Sequence, residues 1–403
     1  MELLKLLLIF ILILIFLGLK KPLSAVMAGA TVLLGLLFAM PVKQWLTAVG
    51  RSMISWDTLE VVFIIWAVML LEGQMGENGY LDRMMKAVDD LFHSRRMSLL
   101  TMPMLIGFLP SAGGALFSAP LVETAAQGLG LSGERKAQIN AYYRHIMEIF
   151  FPTYPAAIVI CGIADVPMGR FTLLLFPMAV LAFLLGLVLV RGVKDEKRPA
   201  DGVSLGRRLL AFAVALWPFL LLLLLIIVFN MEVYLACLIS LAAVMAVTRL
   251  HPRELPRLIR SKTKTKLLLM AYVVMIFKDV LLGSGAVDAL PDIISRLPIS
   301  PLLVFSLMTV FIGMITGITF SATAITMPLL MTALPGYGIA QVALIHLSAY
   351  VGCQLTPTHL CISISSEYFN ANLQRVILGY LPLYLILYLA NLLIYGVLLG
   401  QAV

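Results

Sequence analysis

Apolar residues run along this chain in blocks of about 20, the length that carries an α-helix across the hydrocarbon of a bilayer. In the first half the blocks cover 3–19, 22–40, 58–73, 138–163 and 169–191. In the second they cover 207–229, 231–249, 266–283, 340–364 and 374–399. Two further apolar stretches, 98–127 and 300–333, are too long for one such helix and too short for two, and each has Gly, Ser, Thr and Pro at its centre. Backbone that enters the membrane without completing a helix has to be buried by other protein, so both are expected as re-entrant hairpins. The pattern predicts an all-α polytopic membrane protein of ten transmembrane helices and two hairpins.

The polar interruptions recur. Leu105-Ile106-Gly107-Phe108-Leu109-Pro110-Ser111-Ala112-Gly113-Gly114-Ala115 leads into Ser118-Ala119-Pro120 and Thr124-Ala125. About two hundred residues on, Phe311-Ile312-Gly313-Met314-Ile315-Thr316-Gly317 leads into Ser321-Ala322-Thr323, Met327-Pro328 and Thr332-Ala333. Each is followed by an apolar helix broken by Pro and Thr: Phe151-Pro152-Thr153-Tyr154-Pro155 in the first copy, Gln354-Leu355-Thr356-Pro357-Thr358 in the second. Paired, Gly/Pro-interrupted apolar segments in corresponding halves point to the binding site of a secondary transporter. A short amphipathic helix precedes each hairpin, over 80–93 and 286–297, and is expected to lie along the membrane surface.

Composition agrees. Of 403 residues 61% are apolar and 12% charged, with a mean hydropathy of +1.02. The formal charge of +8 does not indicate nucleic acid, because the basic residues sit in loops between apolar blocks. With the loop 191–208 cytoplasmic, the 29 Lys and Arg fall in cytoplasmic segments, except Lys5, Lys43, Arg51, Arg170, Arg296 and, inside a span, Lys278. That satisfies the positive-inside rule. It places both termini outside a cytoplasmic membrane and, with five spans per half, inverts the halves relative to each other. The run Leu6–Leu19, followed by Lys20-Lys21 rather than a small-residue cleavage site, is expected to be a retained first span.

Hairpin tips and helix breaks leave unpaired backbone groups, and half-helix N-termini carry partial positive charge. They hold an anion without a basic side chain. The substrate-binding candidates are the hydroxyls of Ser111, Ser118, Thr153, Thr319, Ser321, Thr323, Thr326, Thr356 and Thr358, with Gly113, Gly114 and Gly317 permitting close backbone approach. Moving one negative charge inward against 100 mV costs about 2.3 kcal/mol, so anion uptake requires a compensating cation. Na⁺ would take Ser111, Thr153, Thr323 and Thr356 as hard oxygen ligands; a proton would take Glu148 or His359, and Glu123 more weakly. Arg144, four residues before Glu148, is read as its neutralising partner. His346 is expected to pack, Lys278 and Asp279 to pair with each other, and the four cysteines to fill space. His145 and Glu148 have metal-ligand spacing, but nothing in the sequence completes a set, so no metal beyond Na⁺ and no other cofactor is expected. No catalytic dyad and no Walker motif is legible. The expected function is coupled transport of a small carboxylate-like anion, with efflux the alternative and an intramembrane enzyme a remoter one.

Three spans, a surface arm, a re-entrant hairpin, a broken helix and a last span, repeated upside down, resemble the ion-transporter superfamily, which includes divalent-anion/sodium symporters and gluconate and arsenite permeases. The resemblance implies an elevator mechanism in a homodimer. Residues 1–97 and 207–299 would form the scaffold, 98–191 and 300–403 the moving transport part, and 192–206 the cytoplasmic linker. The symporters carry a Ser-Asn-Thr motif at each hairpin tip. Here those positions read Ser111-Ala112-Gly113-Gly114 and Thr319-Phe320-Ser321-Ala322-Thr323, without asparagine.

Overall fold

Ordinary caps set where many of the helices begin. Ser55, Ser94, Ser132 and Asn372 each accept a hydrogen bond from the backbone N–H three residues on, satisfying one of the free donors of a first turn. The computed structural model describes residues 2–19, 21–92, 94–108, 115–193, 203–249, 255–262, 265–286, 298–334 and 336–399. Every regular element among them is helical.

The first half contains α1 (Glu2–Gly18), α2 (Leu23–Leu37), α3 (Val42–Ile54), α4 (Trp56–Glu77) and α5 (Tyr80–Phe92). It continues with α6 (Arg95–Ile106), α7 (Ala115–Ala126), α8 (Gly133–Arg144), α9 (Pro155–Ala164) and α10 (Met168–Val190). The second half contains α11 (Leu205–Val228), α12 (Val233–Val247), α13 (Leu255–Lys262), α14 (Thr265–Gly283) and α15 (Pro301–Thr316). It ends with α16 (Thr319–Ala333), α17 (Ile339–Gln354), α18 (Leu360–Tyr368) and α19 (Leu373–Leu398). The surface arm from 287 to 297 and the first hairpin tip, with Ser111, Gly113 and Gly114, lie outside the described residues.

Among the described residues four helices, α4, α10, α11 and α19, are long and apolar enough to cross a membrane. The others are shorter or, like α14 with Lys266, Lys278 and Asp279, more charged. Arms α6 and α7 have 12 residues each, and α15 and α16 have 16 and 15. At 1.5 Å per residue these rise about 18–24 Å, less than the roughly 30 Å of a bilayer core. Within each pair the two arms pack on each other. Helices α3 and α13 lie between the apolar blocks, where the pattern predicts loops, because both are amphipathic and too polar to register as spans.

Packing is reciprocal between the halves. Helix α4 packs on α12 as α2 packs on α14, and α13 lies on α4 as α3 lies on α14. The returning hairpin arms cross over: α7 packs on α18 and α16 on α9. Large apolar side chains such as Ile11, Leu36, Phe176, Leu184, Leu210 and Leu389 stand exposed around the outside, while Arg144, His145, Glu148 and His346 are buried. That inversion of the soluble pattern suits a lipid surround. Helix α5 turns Tyr80, Met84 and Val88 inward, packing on α6 and α11.

Candidate functional site

Two interrupted helices meet at the centre. In the first, α8 stops at Arg144, His145 caps it, and a 3₁₀ turn, Ile146–Ile149, follows before Phe150–Tyr154 unwinds. Pro152 supplies no N–H, and Pro155, at the first position of α9, has its φ preset for a new helix. In the second, α17 stops at Gln354, and the chain resumes helix at Leu360 after Pro357. Between them Thr356 Oγ1 accepts from the Thr358 N–H at 3.3 Å and lies 3.0 Å from Thr358 Oγ1. This is the local turn by which a hydroxyl replaces a helical partner.

Each hairpin rests on one of these breaks. Gly107, closing α6, lies against the Arg144 carbonyl so tightly that a Cβ would approach that oxygen to 2.2 Å. Tyr154 OH donates to the Gly107 carbonyl, tying the same place together. Gly317, between α15 and α16, has φ +65°, and a Cβ there would stand 2.7 Å from Thr358 Oγ1. Both properties require glycine.

Where these pieces converge there is a cavity of about 360 Å³, lined by Arg144, His145, Glu148, Tyr154, Thr319, Thr358, His359 and Cys361 among others. The first residues of three helices, Pro155, Thr319 and Leu360, border it, and none of the three helices has a side-chain N-cap. The electrostatics combine one buried guanidinium and uncapped helix starts, which favour negative charge, with the buried carboxyl of Glu148. Leu267 and Met270 of α14 form part of the wall.

The imidazoles of His145 and His359 face each other with 3.1 Å between their Nε2 atoms. The Arg144 guanidinium donates to Cys361 Sγ at 3.4 Å. Cys353 Sγ lies 3.1 Å from His359 Nδ1. Sequence reasoning had treated Arg144 only as a neutraliser of Glu148 and the cysteines as packing. The available signal was a basic pair, Arg144-His145, directly before a proline break in an otherwise apolar run.

Of the predicted site residues, Thr319, Thr358, Glu148 and His359 line this cavity, as does Gly317. Thr153, Ser321, Thr323, Thr326, Thr356 and Ser118 are buried nearby in the breaks and hairpin arms without lining it. The hydroxyls of Thr153, Thr319, Ser321 and Thr326 have no hydrogen-bond partner among the described residues. Thr323 Oγ1 turns back to the Phe320 carbonyl at 2.9 Å, and Ser118 Oγ to the Ala115 carbonyl at 3.4 Å. His346 packs its ring on Phe171 and places Nε2 3.2 Å from the Glu148 carbonyl. Glu123 pairs with Lys136 at 2.7 Å, and Asp279 with Lys278 at 3.3 Å.

A second cavity, of about 490 Å³, lies at the opposite end of α14, where Lys278 borders it together with Asp57, Glu60, Asp165 and Glu232. It separates α4, α11 and α12 from α9 and the far end of α16.

A family model described as "Protein of unknown function (DUF401)" matches residues 2–399. No curated protein matches the chain. Among solved structures, the Alcanivorax borkumensis YdaH transporter, described as having an unusual topology, superposes with a TM-score of 0.63 at 14% identity over 89% of each chain. The chain thus shares a fold with a membrane transporter.

Proposed function

We propose, from the premise that this chain belongs to the family described as "Protein of unknown function (DUF401)", that it is a secondary transporter of a small organic anion. The observation that carries the reading is the central cavity. Two broken helices and a hairpin tip present three uncapped helix starts and the buried Arg144 to one space of about 360 Å³. A carboxylate fits that set: the fork of Arg144 takes it in a bidentate pair, while the free N–H groups of the helix starts take the remaining lone pairs.

A cation accompanies the anion. Thr153, Ser321 and Thr326 keep buried hydroxyl oxygens with no partner among the described residues, and such oxygens suit Na⁺. Glu148, in the cavity wall, is the site for a proton if the coupling is to H⁺. The acidic rim of the outer cavity, with Asp57, Glu60, Asp165 and Glu232, attracts cations of either kind.

Movement follows the architecture of the ion-transporter superfamily. The two cavities border the same scaffold helix α14, at Met270 and at Lys278, about 12 Å apart along its axis. With the basic residues cytoplasmic, as the positive-inside rule expects, the Met270 end lies towards the cytoplasm and the anion site faces inward in this reading. In the elevator reading α9 and α16 slide along α4 and α14 until the site opens to the outer cavity. Both hairpins travel with the broken helices, in a homodimer whose scaffold stays fixed in the cell membrane.

Reconstitution into liposomes tests this. Labelled carboxylates are offered with Na⁺ or pH gradients imposed separately. Accumulation that requires one gradient and is dissipated by the matching ionophore supports the reading. Failure of every carboxylate to move under either gradient rejects it.

A further inference from the structure

We infer that His145, His359 and Cys361 bind a divalent transition metal of the zinc type where the two broken helices meet. Their ligand atoms, all on buried residues, lie within 4.8 Å of one another, and the two Nε2 atoms are 3.1 Å apart. What the other ring nitrogens touch fixes the tautomers. His145 Nδ1–H donates to the Ala141 carbonyl at 2.8 Å, and His359 Nδ1–H donates to the Gly317 carbonyl at 3.0 Å. A carbonyl only accepts, so each Nδ1 carries the proton, and the Cys353 sulfur, 3.1 Å from His359 Nδ1, then stands there as a second acceptor. In neutral imidazoles both Nε2 atoms then present lone pairs to each other. At that separation they repel unless a cation joins them.

The third ligand selects the cation. Arg144 lies 3.5 Å from His145 Nε2 and donates to Cys361 Sγ. A proton shared between the rings would leave the Cys361 sulfur out of the arrangement. A metal held by one thiolate and two neutral imidazoles uses all three groups instead. Zn–N bonds of about 2.0–2.1 Å and a Zn–S bond of about 2.3 Å put tetrahedral N–N and N–S edges near 3.3 and 3.6 Å, so the cluster closes with small side-chain movements. Thiolate with imidazole excludes Mg²⁺ and Ca²⁺, which take oxygen ligands. The two Nδ1–H bonds to backbone carbonyls are the outer contacts that orient metal-ligating histidines. All three residues line the cavity, so the fourth position of the tetrahedron faces it, as in open zinc sites. The metal links the first break, through His145, to the second, through His359 and Cys361.

This site occupies the cavity assigned above to the anion, but its test needs no transport. Full-length protein in detergent is stripped with chelator and titrated with Co²⁺ alone. One equivalent is expected to give a thiolate-to-cobalt charge-transfer band with the visible bands of tetrahedral cobalt, abolished by Zn²⁺. Cys361→Ser removes the charge-transfer band, whereas Cys237→Ser, at a buried cysteine on α12, keeps it. His145→Gln weakens Co²⁺ binding by about 100-fold or more, since even outer-contact losses weaken metal binding 10–100-fold. Thermal unfolding of each variant confirms that it is folded. No charge-transfer band, a band unchanged in Cys361→Ser, or one lost in Cys237→Ser overturns the assignment.

Discussion

Gly317→Ala isolates the docking of the second hairpin on the second break. Two penalties add. The residue has φ +65°, and an L side chain in that region costs about 1–2 kcal/mol. The new methyl would also stand 2.7 Å from Thr358 Oγ1 and 2.8 and 2.9 Å from the Thr358 backbone carbon and oxygen. A hydroxyl can rotate away, but the backbone atoms cannot. Overpacking of this kind adds about 1–3 kcal/mol, for a sum of roughly 2–5 kcal/mol. Gly130→Ala is the matched control: φ is +64° and nothing lies within 4 Å of its Cβ position, so only the first penalty applies. Unfolding of both variants in detergent, followed by denaturant titration, reads the difference. The second penalty is relieved only by lifting the tip from the break, so anion uptake by Gly317→Ala also falls below what its folded fraction explains. Equal destabilisation of the two variants, or normal uptake by Gly317→Ala, refutes the docking argument.

Further outcomes follow from the same geometry. Arg144→Met keeps much of the side chain's length and removes its charge, so anion uptake falls to background while the protein still folds; uptake within a factor of two of wild type excludes Arg144 from the anion site. Thr153→Val replaces a buried hydroxyl that has no partner among the described residues. Leaving such a group unsatisfied costs about 1–3 kcal/mol, so the variant is as stable as wild type or more so. Its gradient-driven uptake nevertheless drops, and a lowered unfolding midpoint with normal uptake contradicts the assignment. Glu148→Gln separates the coupling ions: uptake driven by Na⁺ survives the substitution, whereas uptake driven by a pH gradient does not.

The all-helical character and the two helix breaks were legible in the order of apolar blocks, because Pro and Gly mark the breaks. Pro152, Pro155, Pro357 and Gly317 sit where the chain unwinds or turns. Helices α3 and α13 are not legible in that order, because both are amphipathic and too polar to stand out as spans. Thr319, Thr358, Glu148 and His359, which line the candidate cavity, were legible as candidates. The cluster of Arg144, His145 and Cys361 was not. Arg144 and Cys361 are 217 positions apart, and nothing local to either reveals that the two repeats dock break against break. Cys361 in particular opens an ordinary apolar helix and reads as a small packing residue.

The elevator claim itself is tested most directly by locking α4 to α9. A Cβ at Gly162 would stand 3.9 Å from the Val61 Cβ, inside the roughly 3.5–4.5 Å that a disulfide spans. The pair Val61→Cys and Gly162→Cys, made in a Cys161→Ala background, is oxidised in proteoliposomes and assayed for anion uptake before and after reduction. Sliding of α9 along α4 predicts that uptake is abolished by oxidation and restored by reductant. Undiminished uptake by the fully cross-linked protein contradicts it.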